Sequence, residues 1–215
     1  MNFAIAATYL PQMLSALGMS VLIAVVGFIA GSLLGVPLAV AKSGRNPVAS
    51  WASRIYIEIF RNTPLLVQLY LFFFGLGQLG INLDPFTSAL LGLTLNNAAY
   101  TAEIFRAGLE SVPVGLHEAA AVLGLSKWQT LVHVSLKPAL RNVLPALTNQ
   151  FIVLFLFSSV ASVISLNELT NEVNQLVSQT QLTIELFAFA AAMYYVVSAI
   201  LAGASRLAER TLFRW

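Results

Sequence analysis

The sequence predicts an all-α integral membrane protein with five transmembrane helices, an outside N-terminus and a cytoplasmic C-terminus. Three observations support this fold class. Of the 215 residues, 58% are hydrophobic and only 9% are charged, whereas a soluble domain carries about 25% charge. Five apolar segments have the length, roughly 20 residues, that a helix needs to cross the hydrocarbon. The basic residues, finally, are confined to a few clusters between these segments.

Each of the five apolar segments is predicted to be one span, and residues 1–215 together are predicted to form a single transmembrane domain. The segments are Leu14–Ala41, Pro64–Ile81, Phe86–Phe105, Val143–Ile164 and Ile184–Ala204. Two alternatives remain open for the second segment. It starts at Pro64, or it starts earlier, within residues 51–63, and Pro64 kinks it.

The orientation follows from the basic residues. All 11 Lys and Arg residues fall within 42–61, 106–141 and 206–214. Cytoplasmic loops are the ones that carry an excess of Lys and Arg, so these three stretches are expected inside. The turn NLDP and the polar, acidic loop at 167–181 are then expected to face outward. The first segment has no basic region before it and a long apolar run, so it is expected to be a retained anchor and not a signal peptide.

Small residues predict a close helix contact in the first segment. Gly27, Gly31 and Gly35 recur every four residues and therefore share one helical face. A face without side chains lets a neighbouring helix approach closely in a membrane.

Several kinds of chemistry are excluded by the composition. The chain has no Cys, and its two His residues, His117 and His133, do not form an H-E-x-x-H zinc motif. It has no G-x-S-x-G elbow and no Walker lysine motif, so neither a serine hydrolase nor an ATPase is expected. The basic residues are dispersed in ones and twos, which is not the pattern of a nucleic-acid-binding surface. No cofactor is expected to bind this chain.

The longest inside connection, residues 107–142, contains HEAAAVLGLSKWQT at 117–130. A short helix is predicted through HEAAAVL. Gly124 is placed to end it in the left-handed conformation, with Leu125 available for the hydrophobic contact of a Schellman motif. Ser126 and Gln129 form a capping-box pattern that starts a second helix at 127–136. We therefore predict two short helices, joined by a glycine bend, at the cytoplasmic surface.

This segment resembles the signature of the permease subunits of bacterial ATP-binding cassette importers, which is E-A-A, three residues, G, nine residues, I-x-L-P. The matching residues are Glu118, Ala119, Ala120, Gly124, Val134 and Leu136. The chain departs from the signature at its end, because Lys137 stands at the position of the proline and Pro138 follows one residue later. The departure puts the bend after the second helix in question.

Three further stretches, 60–75, 97–113 and 140–151, resemble the polar amino acid uptake branch of these permeases. The resemblance, which covers most of residues 42–170, implies a type I importer permease fold in the bacterial inner membrane. It implies a second permease subunit, identical or related, an ATPase dimer that holds ATP and Mg, and an extracytoplasmic amino-acid-binding protein. It also implies that the helix around 116–123 is a coupling helix seated in the ATPase. The residues assigned to ATPase coupling are Glu118, Ala119, Ala120, Gly124, Leu125 and Lys127.

Polar side chains inside the predicted spans are candidates for the translocation path, because such groups are costly in lipid. The candidates are Asn96, Asn97, Tyr100, Thr101, Glu103, Asn149, Ser158, Ser159 and Ser162. For each of them alone, an interhelical hydrogen bond is the alternative. Glu103 is expected to pair with Arg106, three residues further along the helix, and a direct contact with substrate is its alternative.

A second departure from the family concerns the substrate. Many relatives have Lys-Asp-Thr-Ser-Leu in the fourth span, where this chain has LFSSV at 156–160, so both charges are missing. Either the cargo is bound through its backbone groups and neutral polar contacts, or a non-identical partner subunit supplies the charged site. We favour the second alternative.

Two other functions are alternatives to that of an importer subunit. A secondary carrier usually has more spans and an internal repeat, and no repeat relates the halves of this chain. A membrane scaffold would have no use for a helix that docks into an ATPase.

Overall fold

The computed structural model describes residues 2–212, and within that range it leaves the side chains of Lys127, Lys137, Arg210 and Leu212 undescribed. The regular elements of this part of the chain are all helical, which confirms the predicted class. The α-helices are α1 (Phe3–Ala7), α2 (Leu10–Ser43), α3 (Pro47–Asn62), α4 (Leu65–Tyr70), α5 (Leu76–Gln78), α6 (Pro85–Glu110), α7 (Val114–Val122), α8 (Lys127–Gln129), α9 (Leu136–Phe157), α10 (Leu169–Thr180) and α11 (Thr183–Leu212). Two π-helical segments, Leu71–Gly75 and Thr130–Ser135, and one 3-10 segment, Ser158–Ile164, connect successive helices.

Three helical stretches within residues 2–212 are long and apolar enough to cross a membrane. They are Leu10–Ser43, Pro138–Ile164 and Thr183–Glu209, and a fourth span results if the bent pair Pro47–Asn62 and Leu65–Gln78 is counted as one. The three correspond to the first, fourth and fifth predicted segments. Helix α6, the third predicted segment, is not among them; it carries several polar side chains, and these are buried inside the bundle.

The second predicted segment lies in a bent pair of helices. Helix α3 ends at Asn62, and the chain bends by 104° before α4 begins. Thr63 is extended, as expected for a residue before proline, and Pro64 is the N-cap of α4. Pro64 thus begins one helix and separates it from another, which combines the two alternatives left open by the sequence. The helical stretch after the bend ends at Gln78, before Gly80 with its φ of +83° and before the predicted end at Ile81.

Helices α2 and α6 form a close seam at the centre of the molecule, as the glycine pattern predicts. A Cβ atom added to Gly31 would lie 2.7 Å from Nδ2 of Asn97, and one added to Gly35 would collide with the Thr101 hydroxyl. Gly27 lies on the same face and faces Leu93, with an ordinary van der Waals distance of 3.4 Å between the two Cβ positions. Gly31 and Gly35 thus allow the close approach of α6.

The prediction of a loop at 167–181 is wrong, because most of this stretch forms helix α10. Leu169, Val173 and Leu176 are buried on one face of this helix. Their spacing of four and three residues is that of an amphipathic helix, which the polar composition of the stretch hides.

The predicted second surface helix is also corrected. Residues 127–136 do not form a separate helix, because α8 continues through the π-helical segment directly into α9. In the π turn the N–H of Leu136 donates to the carbonyl of Leu131, five residues back. Pro138, which has no N–H to donate, follows this wider turn, so the chain passes the proline without a break. Since α6 extends to Glu110, the 107–142 connection reduces to α7 and two short turns.

Candidate functional site

Helix α7 ends in the predicted Schellman motif. Gly124 has a φ of +71°, which favours glycine. The N–H of Gly124 donates to the carbonyl of Ala121, and the N–H of Leu125 donates to the carbonyl of Ala120, both at 3.0 Å. These are the two hydrogen bonds that define the motif. The direction in which the chain leaves α7 is therefore set by backbone geometry.

The predicted capping box follows directly. The Gln129 side chain accepts a hydrogen bond from the N–H of Ser126 at 2.9 Å, and the Ser126 hydroxyl accepts one from the N–H of Gln129 at 3.3 Å. Lys127 lies between them at the start of α8, but its side chain is outside the described residues. The glycine bend is therefore held on both sides by local hydrogen bonds.

The surface of α7 is more apolar than a solvated helix requires. Val122 and Leu123 are 88% and 77% exposed, and Val114 at the other end of the helix is 70% exposed. Glu118 and Ala119 are exposed between them, whereas Ala120 is buried against the rest of the protein. Large exposed apolar side chains grouped on one small element are typical of a protein-binding surface.

Glu103, near the inner end of α6, lies at the centre of an ionic cluster. Arg106 donates to its Oε2 at 2.9 Å, which confirms the predicted pair. Lys42, at the end of α2, donates to its Oε1 at 2.6 Å. Arg61, at the end of α3, lies 3.9 Å from Oε2. One carboxylate thus links three helices, and Arg106 also pairs with Glu110.

Asn97 and Thr101 hold the α2–α6 seam together. Nδ2 of Asn97 donates to the carbonyl of Phe28 at 3.1 Å, and its Oδ1 accepts from Gln150 of α9 at 3.1 Å. The Thr101 hydroxyl contacts the carbonyls of Gly31 at 3.3 Å and Asn97 at 2.9 Å. Both side chains are fully buried. Their hydrogen bonds are the interhelical alternative that the sequence left open.

Asn96 belongs to a second network, which bridges the bend between α3 and α4. Its Nδ2 donates to the carbonyl of Phe60 at 3.1 Å and to Oε1 of Gln68 at 3.2 Å. Gln68 donates in turn to the carbonyls of Phe60 and Thr63, at 3.0 and 3.1 Å, and to the Thr63 hydroxyl at 2.8 Å. Two carbonyls at the bend, those of Phe60 and Thr63, are thereby satisfied. Gln68 was not singled out from the sequence, because a lone Gln in an apolar segment carries no pattern.

The candidates of the fourth span are not brought together with those of α6. Ser158 and Ser159 donate to the carbonyls three residues before them, Phe155 at 2.7 Å and Leu156 at 2.6 Å. Ser162 is half-buried in the same 3-10 segment, and Asn149 is exposed on α9. These side chains therefore do not converge on one site within this chain.

Tyr100 and Glu103, by contrast, line a cavity. The cavity has a volume of about 300 Å³, and its wall is completed by Arg61, Ile104, Ala107, Gly108, Asn142 and Ala146. The Arg61 guanidinium lies over the Tyr100 ring, 5.2 Å from its centroid. Sequence reasoning missed Arg61; the only available signal was its place at the end of the first basic cluster. Among residues 2–212, no group of three His, Asp or Glu side chains is arranged to hold a metal ion.

Known proteins resemble this chain over nearly its whole length. The probable amino-acid ABC transporter permease protein YckA of Bacillus subtilis is 32% identical over 209 residues, which covers 97% of this chain and 92% of the relative. The arginine transport system permease protein ArtQ of Bacillus subtilis is 34% identical over 213 residues, with coverage of 99% and 97%. The glutamine transport system permease protein GlnP of Escherichia coli K12 is 31% identical over 205 residues, with 94% of each chain covered.

Solved structures of amino acid transporters also resemble this chain. A chain from the crystal structure of an amino acid ABC transporter with histidines superposes with a TM-score of 0.94 at 35% identity, covering 98% of this chain and 99% of the other. A chain of the MetNI methionine ABC transporter has a TM-score of 0.72 at 21% identity, with 92% of each chain covered, and shares the fold. The model of the family described as binding-protein-dependent transport system inner membrane component matches residues 31–214. The resemblance noted in the sequence is thus confirmed, and this chain belongs to that family of inner membrane transport components.

Proposed function

We propose that this chain is the transmembrane permease subunit of an ATP-driven importer for polar amino acids, and that it forms the translocation path by alternating access. The relatives named for arginine and glutamine transport support the substrate class. The observation that carries the proposal is α7, a thin helix with exposed apolar ends whose exit is set by the Schellman motif at Gly124. Such an element can transmit a displacement from a partner to the spans.

Five spans are proposed, with the N-terminus outside and the C-terminus in the cytoplasm. Helix α6 has 26 residues, about 39 Å at 1.5 Å per residue, and the hydrocarbon core is about 30 Å thick. Its polar residues Asn96, Asn97 and Thr101 are buried among other helices, so they do not oppose its insertion. The broken pair α3 and α4 supplies the second span. The basic clusters then all lie on the cytoplasmic side.

The coupling contact is assigned to α7 and the turn after it. Glu118 and Ala119 lie exposed on the helix, Ala120 anchors it to the rest of the chain, and Gly124 and Leu125 make the Schellman ending. Together with Lys127 at the start of α8, these residues form the proposed contact with an ATPase dimer, which binds ATP and Mg. This chain then performs no hydrolysis and receives its energy through that contact.

The other proposed partners are a second permease subunit, an extracytoplasmic amino-acid-binding protein and the lipid bilayer. Tyr100 and Glu103 are the candidates whose placement best supports a contact with substrate, because they line a cavity. Asn96, Asn97 and Thr101 contribute by holding the path helices in place. The stretch LFSSV at 156–160 has no charge. We therefore expect a non-identical second permease subunit to supply the charged group that binds the side chain of a charged substrate.

Changing Gly124 tests the proposal. Proline fixes φ near −65°, whereas Gly124 has a φ of +71°, so Gly124→Pro is expected to redirect the chain after α7. The permease should still insert and bind its ATPase, but ATP hydrolysis should no longer drive uptake. The measurement is the amount of amino acid imported per ATP hydrolysed by the complex in proteoliposomes. Normal coupled uptake by this variant would contradict the assignment.

A matched pair of alanine variants separates backbone strain from loss of glycine. A Cβ at Gly124 or at Gly115 meets no atom within 4 Å. Of these two glycines, only Gly124 has a positive φ. Gly124→Ala is expected to cost about 1–2 kcal/mol in the last turn of α7 and to lower uptake per ATP several-fold. Gly115→Ala, inside α7, should leave coupling unchanged. Equal effects of the two variants would show that the left-handed turn has no role in coupling.

A further inference from the structure

A second cavity lies beside the one that contains Glu103, and its wall carries charges of both signs. It has a volume of about 270 Å³ and is lined by Lys42, Ile57, Glu58, Arg61, Asn62 and Tyr100. Arg61 and Tyr100 also line the cavity of about 300 Å³ described above. The two spaces are thus neighbours that share one wall, formed by the Arg61 side chain and the Tyr100 ring.

Arg61 is an incompletely neutralised cation at this shared wall. The Glu103 carboxylate is already bonded by Lys42 at 2.6 Å and Arg106 at 2.9 Å, while Arg61 lies 3.9 Å away, beyond hydrogen-bond distance. The Arg61 side chain is 41% exposed, and its position is held by its contact with the Tyr100 ring. Its planar set of N–H donors therefore remains available for a carboxylate, which a guanidinium binds with two parallel hydrogen bonds.

Glu58 is the matching anion. It precedes Arg61 by three residues on α3, so the two side chains share a helical face and would ordinarily form an ion pair. In the structure they form none, because Arg61 is directed toward Glu103 and Tyr100. Glu58 makes no hydrogen bond or ion pair with the residues that the structure describes, and it lines the cavity. One cavity thus has an available cation and an available anion in its wall.

We propose that this cavity binds the charged head group of an α-amino acid, with the substrate carboxylate on Arg61 and the substrate ammonium on Glu58. The proposal rests on the proposed function and adds the residues that recognise the part shared by all amino acids. The neighbouring cavity then takes the side chain. Its wall contains Glu103 and Asn142 as well as the apolar Ile104 and Ala146, which suits a polar side chain with an aliphatic stem.

The test measures binding of the tritiated amino acid that the wild-type complex imports, L-arginine or L-glutamine, to the detergent-solubilised permease–ATPase complex without its binding protein. Two competitors are used: the primary amide, which lacks the carboxylate, and the analogue with hydrogen in place of the α-amino group. Wild type should prefer the intact amino acid over both. Arg61→Gln should weaken binding of the amino acid about tenfold to a hundredfold and abolish the preference over the amide. Glu58→Gln should abolish the preference over the deaminated analogue.

The control is Arg54→Gln, a change of the same residue type on α3 at an exposed position outside both cavities. It should bind all three compounds as wild type does. Arg61→Lys, which keeps the charge near Glu103, should fold normally and retain part of the preference over the amide.

The inference is overturned if Arg61→Gln and Arg54→Gln bind alike, or if the Arg61 and Glu58 variants lose affinity equally for all three compounds. The proposed function fails separately if the wild-type complex imports no amino acid in the presence of ATP.

Discussion

Two carboxylates, the half-buried Glu103 and the fully buried Glu168, lie at different places in this molecule and are stabilised in opposite ways. The Glu103 side chain is 16% exposed and has three cations, Lys42, Arg61 and Arg106, within 4 Å. The Glu168 side chain is completely buried at the start of α10, and no Lys or Arg occurs anywhere between residues 142 and 205.

Glu168 is stabilised by hydrogen bonds instead of by charge. Its carboxylate accepts from the N–H of Asn171 at 2.8 Å, from the Tyr194 hydroxyl at 2.8 Å and from the Ser20 hydroxyl at 3.2 Å. Ser20 accepts in turn from the N–H of Leu169 at 3.1 Å. These contacts tie α10 to α2 and α11. Burial nevertheless raises the pKa of Glu168, because the hydrogen bonds offset only part of the loss of solvation.

The comparison shows how the charge distribution from which we propose the orientation of the chain also limits its interior chemistry. The positive residues are collected near one end of the spans, so a carboxylate there is compensated by ion pairs. Glu168, at the other end, forms no ion pair with a Lys or Arg among the described residues and depends on neutral donors. We expect the stability contributed by Glu103 to depend mainly on its charge, and the stability contributed by Glu168 to depend mainly on pH.

The largest effect is expected from Glu103→Ala. It leaves Lys42, Arg61 and Arg106 facing one another without their shared anion, which should cost about 2–4 kcal/mol of stability and reduce uptake. The control is Glu110→Ala, which removes the other partner of Arg106 but at a side chain that is 62% exposed, where a pair contributes under about 1 kcal/mol. Thermal unfolding of both purified variants measures the difference. Equal stability would mean that Glu103 does not link the three helices.

Uptake by Glu103→Gln tests whether Glu103 contacts the substrate or has only a structural role. The amide keeps the shape of the side chain and removes only its charge. A change in uptake per folded complex would support a contact with substrate, whereas a lower yield with normal uptake by the folded fraction would leave Glu103 a structural residue.

An intermediate effect, visible as a pH dependence, is expected from Glu168→Gln. The pKa of Glu168 in the folded protein is raised above its ordinary value of about 4.5. Its contribution to stability is therefore fully present below that value and is lost as the pH rises through the folded pKa. When the free energy of unfolding is measured from about pH 5 to about pH 8, its decrease with pH should be smaller for the Gln variant than for wild type. Glu172→Gln, one turn along α10, should keep the wild-type slope; if both Gln variants keep it, Glu168 is not the group responsible.

The smallest effect is expected from Tyr194→Phe. The change removes the hydroxyl that bonds Glu168 at 2.8 Å and contacts Thr170 at 3.0 Å, and it should cost about 1 kcal/mol. Tyr195→Phe is the control, because Tyr195 is 74% exposed. Unfolding of the two variants side by side gives the difference, and a loss at Tyr195 as large as that at Tyr194 would argue against the hydrogen-bond account.

Features encoded over a few neighbouring residues were predictable. The Schellman turn at Gly124, the capping box after it, the glycine face of α2 and the Glu103–Arg106 pair each depend on residues at most eight positions apart, and each is present. Helix α10 is not predicted although its periodicity is just as local, because the polar composition of residues 167–181 is typical of a loop.

Contacts between distant residues were not predictable. Lys42 and Glu103 are 61 residues apart, and Gln150 and Asn97 are 53 apart. The family resemblance placed the helices in order but did not show which polar groups would meet. Asn97 and Thr101, taken together from the sequence with Tyr100 and Glu103, proved to bind other helices.

The sequence by itself determined the helical membrane class, the segregation of positive charge and the short turn at Gly124, because hydropathy, charge and helical period are properties of single residues and their near neighbours. Only the tertiary structure decided how the carboxylates are compensated, how the bend between α3 and α4 is bridged and which side chains border the cavities. Those outcomes depend on which helix faces pack against each other, and that is settled by the sum of contacts across the whole bundle.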